Sequence, residues 1–352
     1  MTGDPVEENA MKKTKNTKSM KSTKKTKRRK SRPPFRTAAL LATVVALILG
    51  LGAPANAFPQ AAFPTQSSGN RGTDVLALQH LLTGQGIAVS ADGVFGPATN
   101  TAVRQFQTAK GLGVDGIVGP QTWGALTPTI RQGDTGGTVK ALQAALNAKR
   151  GAGLTVSGTF DAATTAAVRT FQGHAGIGVD GIVGPITWKN LLWHYENTSF
   201  GSTMCGQSPD GNANAHWGTS AAVAQLEAAA ASFAGTGNGK LPVGDSGFEH
   251  GGDIPGHASH ELGLDFDVWP ARTDSAQCTA GRITWQSAAY DRAATRELVK
   301  AIRAAAPGHI KLIFFNDPQL ISEGLVTQYA NHDNHLHVRY CEKVHANALY
   351  DC

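Results

Sequence analysis

The sequence predicts a multidomain protein, with two small three-helix modules followed by an α+β domain built around a central antiparallel sheet. Two observations support this prediction. A block with helical spacing of apolar residues occurs twice in tandem, and roughly the last 150 residues mix helical and strand-like segments without a regular βαβ alternation. The predicted domains are residues 71–127, 128–195 and 200–352, with residues 58–70 as a linker and residues 1–57 as a separate N-terminal segment.

The first 57 residues have the three parts of a secretory signal, with an extended basic region. Residues 1–36 contain 13 Lys/Arg and three Asp/Glu, residues 37–52 form an uncharged apolar run, and Ala55-Asn56-Ala57 is an A-x-A cleavage site. A helix that spans a bilayer needs about 20 apolar residues, so this run is short for an anchor. We expect cleavage after Ala57, a secreted protein and no membrane association afterwards; an uncleaved anchor is the alternative.

The basic charge of the chain comes from this N-terminal segment alone. The 352 residues have a net charge of +6, whereas residues 58–352 contain 19 Lys/Arg and 23 Asp/Glu. A mildly acidic protein has no basic face that could follow a phosphate backbone. We therefore expect no binding to nucleic acid.

Two copies of one small module follow the N-terminal segment. The sequence DGIVGPQTW at Asp115–Trp123 recurs as DGIVGPITW at Asp180–Trp188, an offset of 65 residues. In each copy, apolar residues at helical spacing and two Gly-rich turns predict three short helices, the last opening just after a Gly-Pro pair. Two copies are too few for a solenoid, so we expect two independent domains. The aromatic residues expected in their cores are Phe106, Trp123, Phe171 and Trp188.

These repeats resemble a known wall-binding domain. The segments VLALQHLL, DGVFGPATNTAVRQFQ and VDGIVGPQTW, in this order, are similar to the peptidoglycan-binding domain found on many wall hydrolases. The second copy matches as well, with Asp161 in place of the Gly of FGP, and together the copies cover about residues 71–193. The resemblance implies non-catalytic modules that bind cell-wall glycan or stem peptide. Peptidoglycan is thus the expected partner, and the cell wall the expected location.

The C-terminal domain is expected to contain at least two helices and two strands. The Ala-rich segment 220–234 predicts a helix capped by Ser220 or Thr219, and the segment 287–306 predicts an amphipathic helix. The segments HIKLIFF at 309–315 and HLHVRYC at 335–341 are rich in β-branched and aromatic residues, which predicts strands.

Nine of the twelve histidines lie in this domain, and two clusters combine them with carboxylates. The clusters are HASHELGLDFD at 257–267 and HDNHLHVR at 332–339. A zinc hydrolase needs three nitrogen or oxygen ligands, an open position and a base near it. Scattered surface histidines are the alternative. The chain has no H-E-x-x-H or G-x-S-x-G motif, and cysteines expected in disulfides are not nucleophiles, so the common helix-borne protease site and nucleophilic catalysis are not supported.

The spacing within the clusters restricts how they could meet. His335 and His337 share one face of a strand, so one could bind metal while the other reaches its water. His260 and Asp267 would lie roughly 23 Å apart in an extended chain, so the chain must bend between them, and an intervening glycine, Gly263, permits this. Asp265 shares a face with Asp267, so periodicity leaves the carboxylate ligand open.

Both clusters resemble one peptidase family. The pattern S-H-x-x-G-x-D-x-D, followed downstream by H-x-x-H-x-H-V-R, is similar to the penicillin-insensitive murein endopeptidases. That family belongs to a wider group of zinc peptidases that includes lysostaphin, D-Ala-D-Ala dipeptidases and hedgehog. The match covers roughly residues 200–345, including GGDIPGHASHELGLDFDVW and IKLIFFND. The resemblance implies hydrolysis of the cross-bridge between D-Ala and meso-diaminopimelate.

The resemblance also implies roles for individual residues. The implied zinc ligands are His260, Asp267 and His337, with His257 as a further metal-binding residue when substrate is absent, and His335 is the implied base, with His332 beside it. This choice of Asp267 leaves Asp265, Asp333 or Asn334 to hold the tautomer of a ligand histidine. Arg339 would either hold a substrate carboxylate or form a structural ion pair. Two alternatives remain: a zinc D-Ala-D-Ala carboxypeptidase, and a wall-binding protein with a structural zinc site.

Cysteine usage agrees with export. The four cysteines are Cys205, Cys278, Cys341 and Cys352. None forms a C-x-x-C pair, and in an exported chain two disulfides are expected, with three possible connectivities. Cys278 follows Asp267 by eleven residues and Cys341 follows His337 by four. Because both ligand segments converge on one ion, we predict that these two cysteines pair and that the other two tie the ends of the domain.

Overall fold

The computed structural model describes residues 61–207, 214–257, 259–345 and 347–352, all within one compact unit, Gly52–Cys352. The predicted signal over residues 1–57 lies outside the described residues. Within the described part, no helix has the length and apolar character to cross a membrane.

The first module contains three helices, α1 (Thr73–Gly84), α2 (Pro97–Ala109) and α3 (Pro120–Leu126). Proline occupies the first turn of α2 and α3, where its missing N–H is not needed and its fixed φ suits a helix. Part of the predicted linker belongs to this fold, because Gln66 pairs with Val118 and the indole of Trp123 donates to the carbonyl oxygen of Pro64.

The second module repeats this arrangement with α4 (Gly137–Arg150), α5 (Ala162–His174) and α6 (Pro185–Trp193). Asp161, the residue that departs from the FGP pattern, caps α5 and accepts a hydrogen bond of 2.8 Å from the amide of Thr164. The four predicted aromatic core residues, Phe106, Trp123, Phe171 and Trp188, are all buried.

The prediction of two independent domains is wrong, because α1 packs closely on α4 and the modules share one hydrophobic core. A Cβ atom on Gly137 would collide with the carbonyl oxygen of His80, so the close approach of these helices depends on that glycine. A buried ion pair crosses the same contact: Lys149 Nζ lies 2.8 Å from Asp74 Oδ1.

The modules also pack on the C-terminal domain. The hydroxyl of Ser220 accepts from the amide of Asp74, and the amide of Thr65 donates to the buried carboxylate of Glu342 at 2.8 Å. The described residues therefore form one body with interlocking polar contacts.

The C-terminal domain has helices on a five-stranded sheet. The helices are α7 (Ser220–Gly235), α8 (Arg292–Ala305) and α9 (Pro318–Ser322). The strands are β1 (Glu196–Asn197), β2 (Met204–Gly206), β3 (Trp217–Gly218), β4 (Leu241–Val243), β5 (Asp265–Val268), β6 (Ile310–Phe314) and β7 (Leu336–Tyr340). The sheet order is β2-β4-β5-β7-β6, while β1 and β3 form a separate pair.

The α+β class is confirmed, but the predicted antiparallel sheet is mixed, because β2 pairs with β4 in parallel. The chain between them includes α7, and a helical crossover of this kind returns a strand in the same direction. The amphipathic helix is also shorter than predicted. It begins at Arg292 because Asp291 caps it, accepting from the amide of Ala294.

The predicted disulfide pairing is wrong. The bonds join Cys205 to Cys278 and Cys341 to Cys352. Asp267 and His337 do face each other, but they lie on antiparallel strands. The segments that follow them therefore leave the site in opposite directions, which separates Cys278 from Cys341.

Candidate active site

The two histidine clusters meet on β5 and β7. In this antiparallel pair Asp267 lies opposite His337, and Asp265 lies opposite Arg339. Because side chains two apart share a face of a strand, these four project to the same side of the sheet. The register thus brings together residues about 70 positions apart in sequence.

His337 is held between the two carboxylates. Its Nδ1 lies 3.0 Å from Asp267 Oδ1, and its Nε2 lies 2.9 Å from Asp265 Oδ1. Burial disfavours the charged ring, but the hydrogen bonds to Asp265 and Asp267 outweigh it and raise the pKa of His337 to about 9. Burial likewise opposes the charge of Asp267, but the adjacent rings of His260 and His337 hold its pKa well below the usual range.

His260 enters the site from a strained backbone position. Its φ is 79°, in the left-handed region that non-glycine residues rarely adopt. Its Nδ1 lies 2.6 Å from the carbonyl oxygen of Ser246, so Nδ1 carries the proton and Nε2 has a lone pair. Gly263 has φ 65°, which confirms the predicted bend, and a Cβ there would collide with the ring of Tyr195.

The other three histidines surround this centre. His257 Nδ1 lies 3.8 Å from Asp267 Oδ2, and His335 Nε2 lies 3.7 Å from Asp267 Oδ1. The ring centroid of His332 is 4.7 Å from that of His335. Burial lowers the pKa of His335 to about 4, so the ring is neutral near pH 7. The five histidines predicted as site residues therefore all lie around Asp267.

Asp245, which the sequence analysis missed, also belongs to this site. It is buried just after β4, and its Oδ2 lies 3.3 Å from His257 Nε2. It can orient His257 so that Nδ1 faces Asp267. A lone aspartate after a short strand has no sequence signal that distinguishes it, since its relation to His257 arises only from folding.

The donor set fits a metal such as zinc. Ligand atoms of His257, His260 and Asp267 lie within 4.8 Å of one another, and His337 Nδ1 adjoins the same carboxylate. The buried Nε2 of His260 forms no hydrogen bond with any residue that the structure describes, and it lies 3.4 Å from Asp267 Oδ1. Tetrahedral zinc with bonds of about 2.0–2.1 Å separates its ligands by about 3.3–3.4 Å, which matches that distance.

An open cleft of about 460 Å³ covers this centre. The histidines and Asp267 line it together with Arg282, Tyr329 and Arg339. Arg339 Nη1 lies 3.6 Å from Asp265 Oδ1, and its Nη2 donates to the carbonyl oxygen of Leu349. The side chain therefore pairs with Asp265 while bordering the cleft.

Comparison with known families agrees with both halves of the fold. Residues 71–126 and 135–191 match the family described as putative peptidoglycan binding domain, and residues 210–313 match penicillin-insensitive murein endopeptidase. The chain combines two peptidoglycan-binding domains with a murein endopeptidase domain. The endopeptidase match includes the first histidine cluster and ends before the second, which lies in β7 and the segment just before it.

Individual relatives match shorter stretches. The zinc D-Ala-D-Ala carboxypeptidase of Streptomyces albus G is 47% identical over 62 residues, 17% of this chain and 24% of that protein. The N-acetylmuramoyl-L-alanine amidase CwlM of Mycobacterium tuberculosis is 34% identical over 136 residues, 35% of this chain and 33% of that protein. The chain thus spans a third or less of these two relatives.

A solved peptidoglycan-binding protein from Clostridioides difficile is 44% identical over 18% of this chain and 40% of that chain, with a TM-score of 0.18.

Proposed function

We propose that the protein is a secreted zinc endopeptidase that hydrolyses the D-Ala to meso-diaminopimelate cross-links of peptidoglycan, held on the wall by its two binding domains. The observation that carries this proposal is the convergence of both histidine clusters on Asp267 beneath an open cleft. The endopeptidase and peptidoglycan-binding matches support the substrate class.

His260, Asp267 and His337 would hold the zinc, with His257 as a further ligand before substrate binds. Zinc held by these residues would polarise a peptide carbonyl and lower the pKa of water at the site. Asp265 holds His337 in place: its Oδ1 accepts from Nε2–H, which leaves Nδ1 directed toward Asp267. Asp245 orients His257 in the same way, since its Oδ2 lies next to His257 Nε2 and leaves Nδ1 directed toward Asp267.

His335 is the proposed base. Its Nδ1 lies 2.7 Å from Asn334 Oδ1, so this nitrogen donates and Nε2 has the lone pair that can accept a proton from water. The neutral state of the ring suits that role. His332 adjoins His335 and can help return the proton to the leaving amine, while Arg339 at the rim can hold a substrate carboxylate.

The products of digestion test this proposal. Purified protein with zinc is incubated with sacculi, and the soluble muropeptides are identified by mass spectrometry. An endopeptidase converts cross-linked dimers to monomers, whereas a zinc D-Ala-D-Ala carboxypeptidase releases free D-Ala and a binding protein releases nothing. Either of the last two results, with zinc bound, contradicts the proposal.

Export rests on the N-terminal sequence. The basic region, the apolar run and Ala55-Asn56-Ala57 together support cleavage after Ala57. N-terminal sequencing of the protein from culture medium or wall should begin at Phe58. Recovery of most of the protein with the basic region still attached would refute export by cleavage.

A further inference from the structure

A second cluster of metal-binding side chains lies away from the active site, where the second binding module meets the endopeptidase domain. Its members are His174 at the end of α5, His194 just after α6, and Glu249 and His250 between β4 and β5. One ligand atom from each lies within 4.8 Å of all the others. No other described group outside the active site brings three or more such residues this close.

The shortest separations in this cluster are those of a tetrahedral site. His174 Nε2 lies 3.3 Å from both His194 Nε2 and Glu249 Oε1, and His194 Nε2 lies 3.6 Å from the same carboxylate oxygen. Ligands about 2.0–2.1 Å from a tetrahedral zinc are about 3.3–3.4 Å apart. His250 Nε2 lies 3.9 Å from Glu249 Oε2.

The neighbours of His194 orient its ring so that Nε2 can bind a metal. Its Nδ1 lies 2.7 Å from the carbonyl oxygen of Tyr195, so Nδ1 carries the proton and the lone pair of Nε2 points into the cluster. A ligand histidine that donates its other N–H to a backbone carbonyl is the usual arrangement in metal sites. The ring is fully buried, which fixes its orientation.

We propose that His174, His194, Glu249 and His250 form a structural zinc site that joins the second binding module to the endopeptidase domain. Four protein ligands of nitrogen and oxygen type leave no open position, as in structural zinc sites. Two ligands come from each partner, so the ion would connect the module to the endopeptidase domain. Because such a site exists only in the folded chain, zinc would stabilise this junction.

A purely ionic network is the competing explanation. Arg150 pairs with Glu249 and its Nη2 lies 3.3 Å from His174 Nδ1. If these contacts with Arg150 are what hold the four residues together, the cluster binds no metal. In the zinc form, Arg150 keeps its bond to Glu249 and turns away from Nδ1, which its partly exposed side chain permits.

Counting zinc distinguishes the two explanations. The full chain is loaded with zinc, dialysed and analysed by mass spectrometry for metal per chain. The proposal predicts two zinc ions in the unaltered protein and one in His250→Gln or His174→Gln, both of which change partly exposed side chains. His80→Gln, on α1 outside both clusters, is the matched control and should keep two.

The active-site variant His337→Ala makes the test independent of catalysis. It should keep one zinc, and zinc should raise its melting temperature, whereas His337→Ala with His250→Gln should keep none and show no shift. Equal zinc content in His337→Ala with and without His250→Gln, or no zinc in His337→Ala, overturns the structural site. Loss of hydrolysis alone bears only on the proposed function.

Discussion

At the scale of single residues, the proposed function gives His335 and His337 different roles. His337→Ala removes a ligand, so zinc at the active site and hydrolysis should both be lost. His335→Ala should leave that zinc bound while the rate falls by about 10²–10⁴-fold, the usual contribution of a general base. The measurements are zinc per chain and the rate of dimer cleavage. Asp265→Asn should cost less, about 10–100-fold, because Asp265 acts through His337. Zinc loss in His335→Ala but not in His337→Ala would reverse these roles.

A second residue, Glu342, makes stability depend on pH. Its carboxyl is buried, and burial raises its pKa to about 8 despite the hydrogen bond from the amide of Thr65. The folded state keeps this proton between about pH 4.5 and 8, whereas the unfolded state has lost it, so stability should fall as pH rises through that window and should be unaffected below it. The total fall is on the order of 5 kcal/mol.

The variant Glu342→Gln isolates this effect. Gln keeps an acceptor for the amide of Thr65 but has no proton to lose, so its unfolding free energy should fall less between pH 5 and pH 8. Urea unfolding at the two pH values gives the comparison. Parallel behaviour of variant and unaltered protein would show that Glu342 does not titrate in this window.

The sequence predicted most of the residues that meet at the candidate active site because they lie close together in two short motifs. The strand period placed His335 and His337, and Gly263 marked the bend that His260 requires. Asp245 and the cluster around His194 and Glu249 were not predicted. Their members come from separate segments. Folding of the endopeptidase domain brings Asp245 to His257, and packing of the second module on that domain brings His194 to Glu249.

At the scale of elements, the contact between α1 and α4 depends on one glycine. Gly137→Ala places a Cβ against the carbonyl oxygen of His80, and overpacking of this kind costs about 1–3 kcal/mol. Gly124→Ala, inside α3 with open space around it, should instead stabilise by about 0.4–1 kcal/mol. Denaturant midpoints of both variants check this pair. Equal effects of the two substitutions would mean that helix propensity, rather than the close contact, sets their cost.

Helices were easier to predict than the way elements join. Gly-Pro pairs marked the starts of α3 and α6, and the repeated aromatic positions marked the module cores. The parallel edge strand β2 and the disulfide pairing were not predicted. The direction of β2 depends on the crossover through α7 to β4, and the pairing depends on the directions in which the chain leaves β5 and β7. Local patterns record spacing within an element but not the path between elements.

At the scale of the whole molecule, the proposed function assigns wall binding and hydrolysis to different parts of the chain. A fragment of residues 61–195 should sediment with purified sacculi at moderate salt and should cleave nothing. It starts at 61 because Phe63 and Pro64 contact Trp123 and so belong to the first module. The measurements are bound fraction and muropeptide release. A fragment that is folded by circular dichroism yet stays in solution would contradict wall binding by these modules.

The shared core of the two modules has a consequence for avidity. Two binding domains on a flexible tether can sample many spacings, and their effective concentration depends on tether length. Here α1 and α4 fix the separation of the domains within one core, so no tether entropy is lost when both engage. The gain is available only where two sites on the wall match that spacing and orientation. A rigid pair of this kind would therefore select for the architecture of the wall as well as for its chemistry.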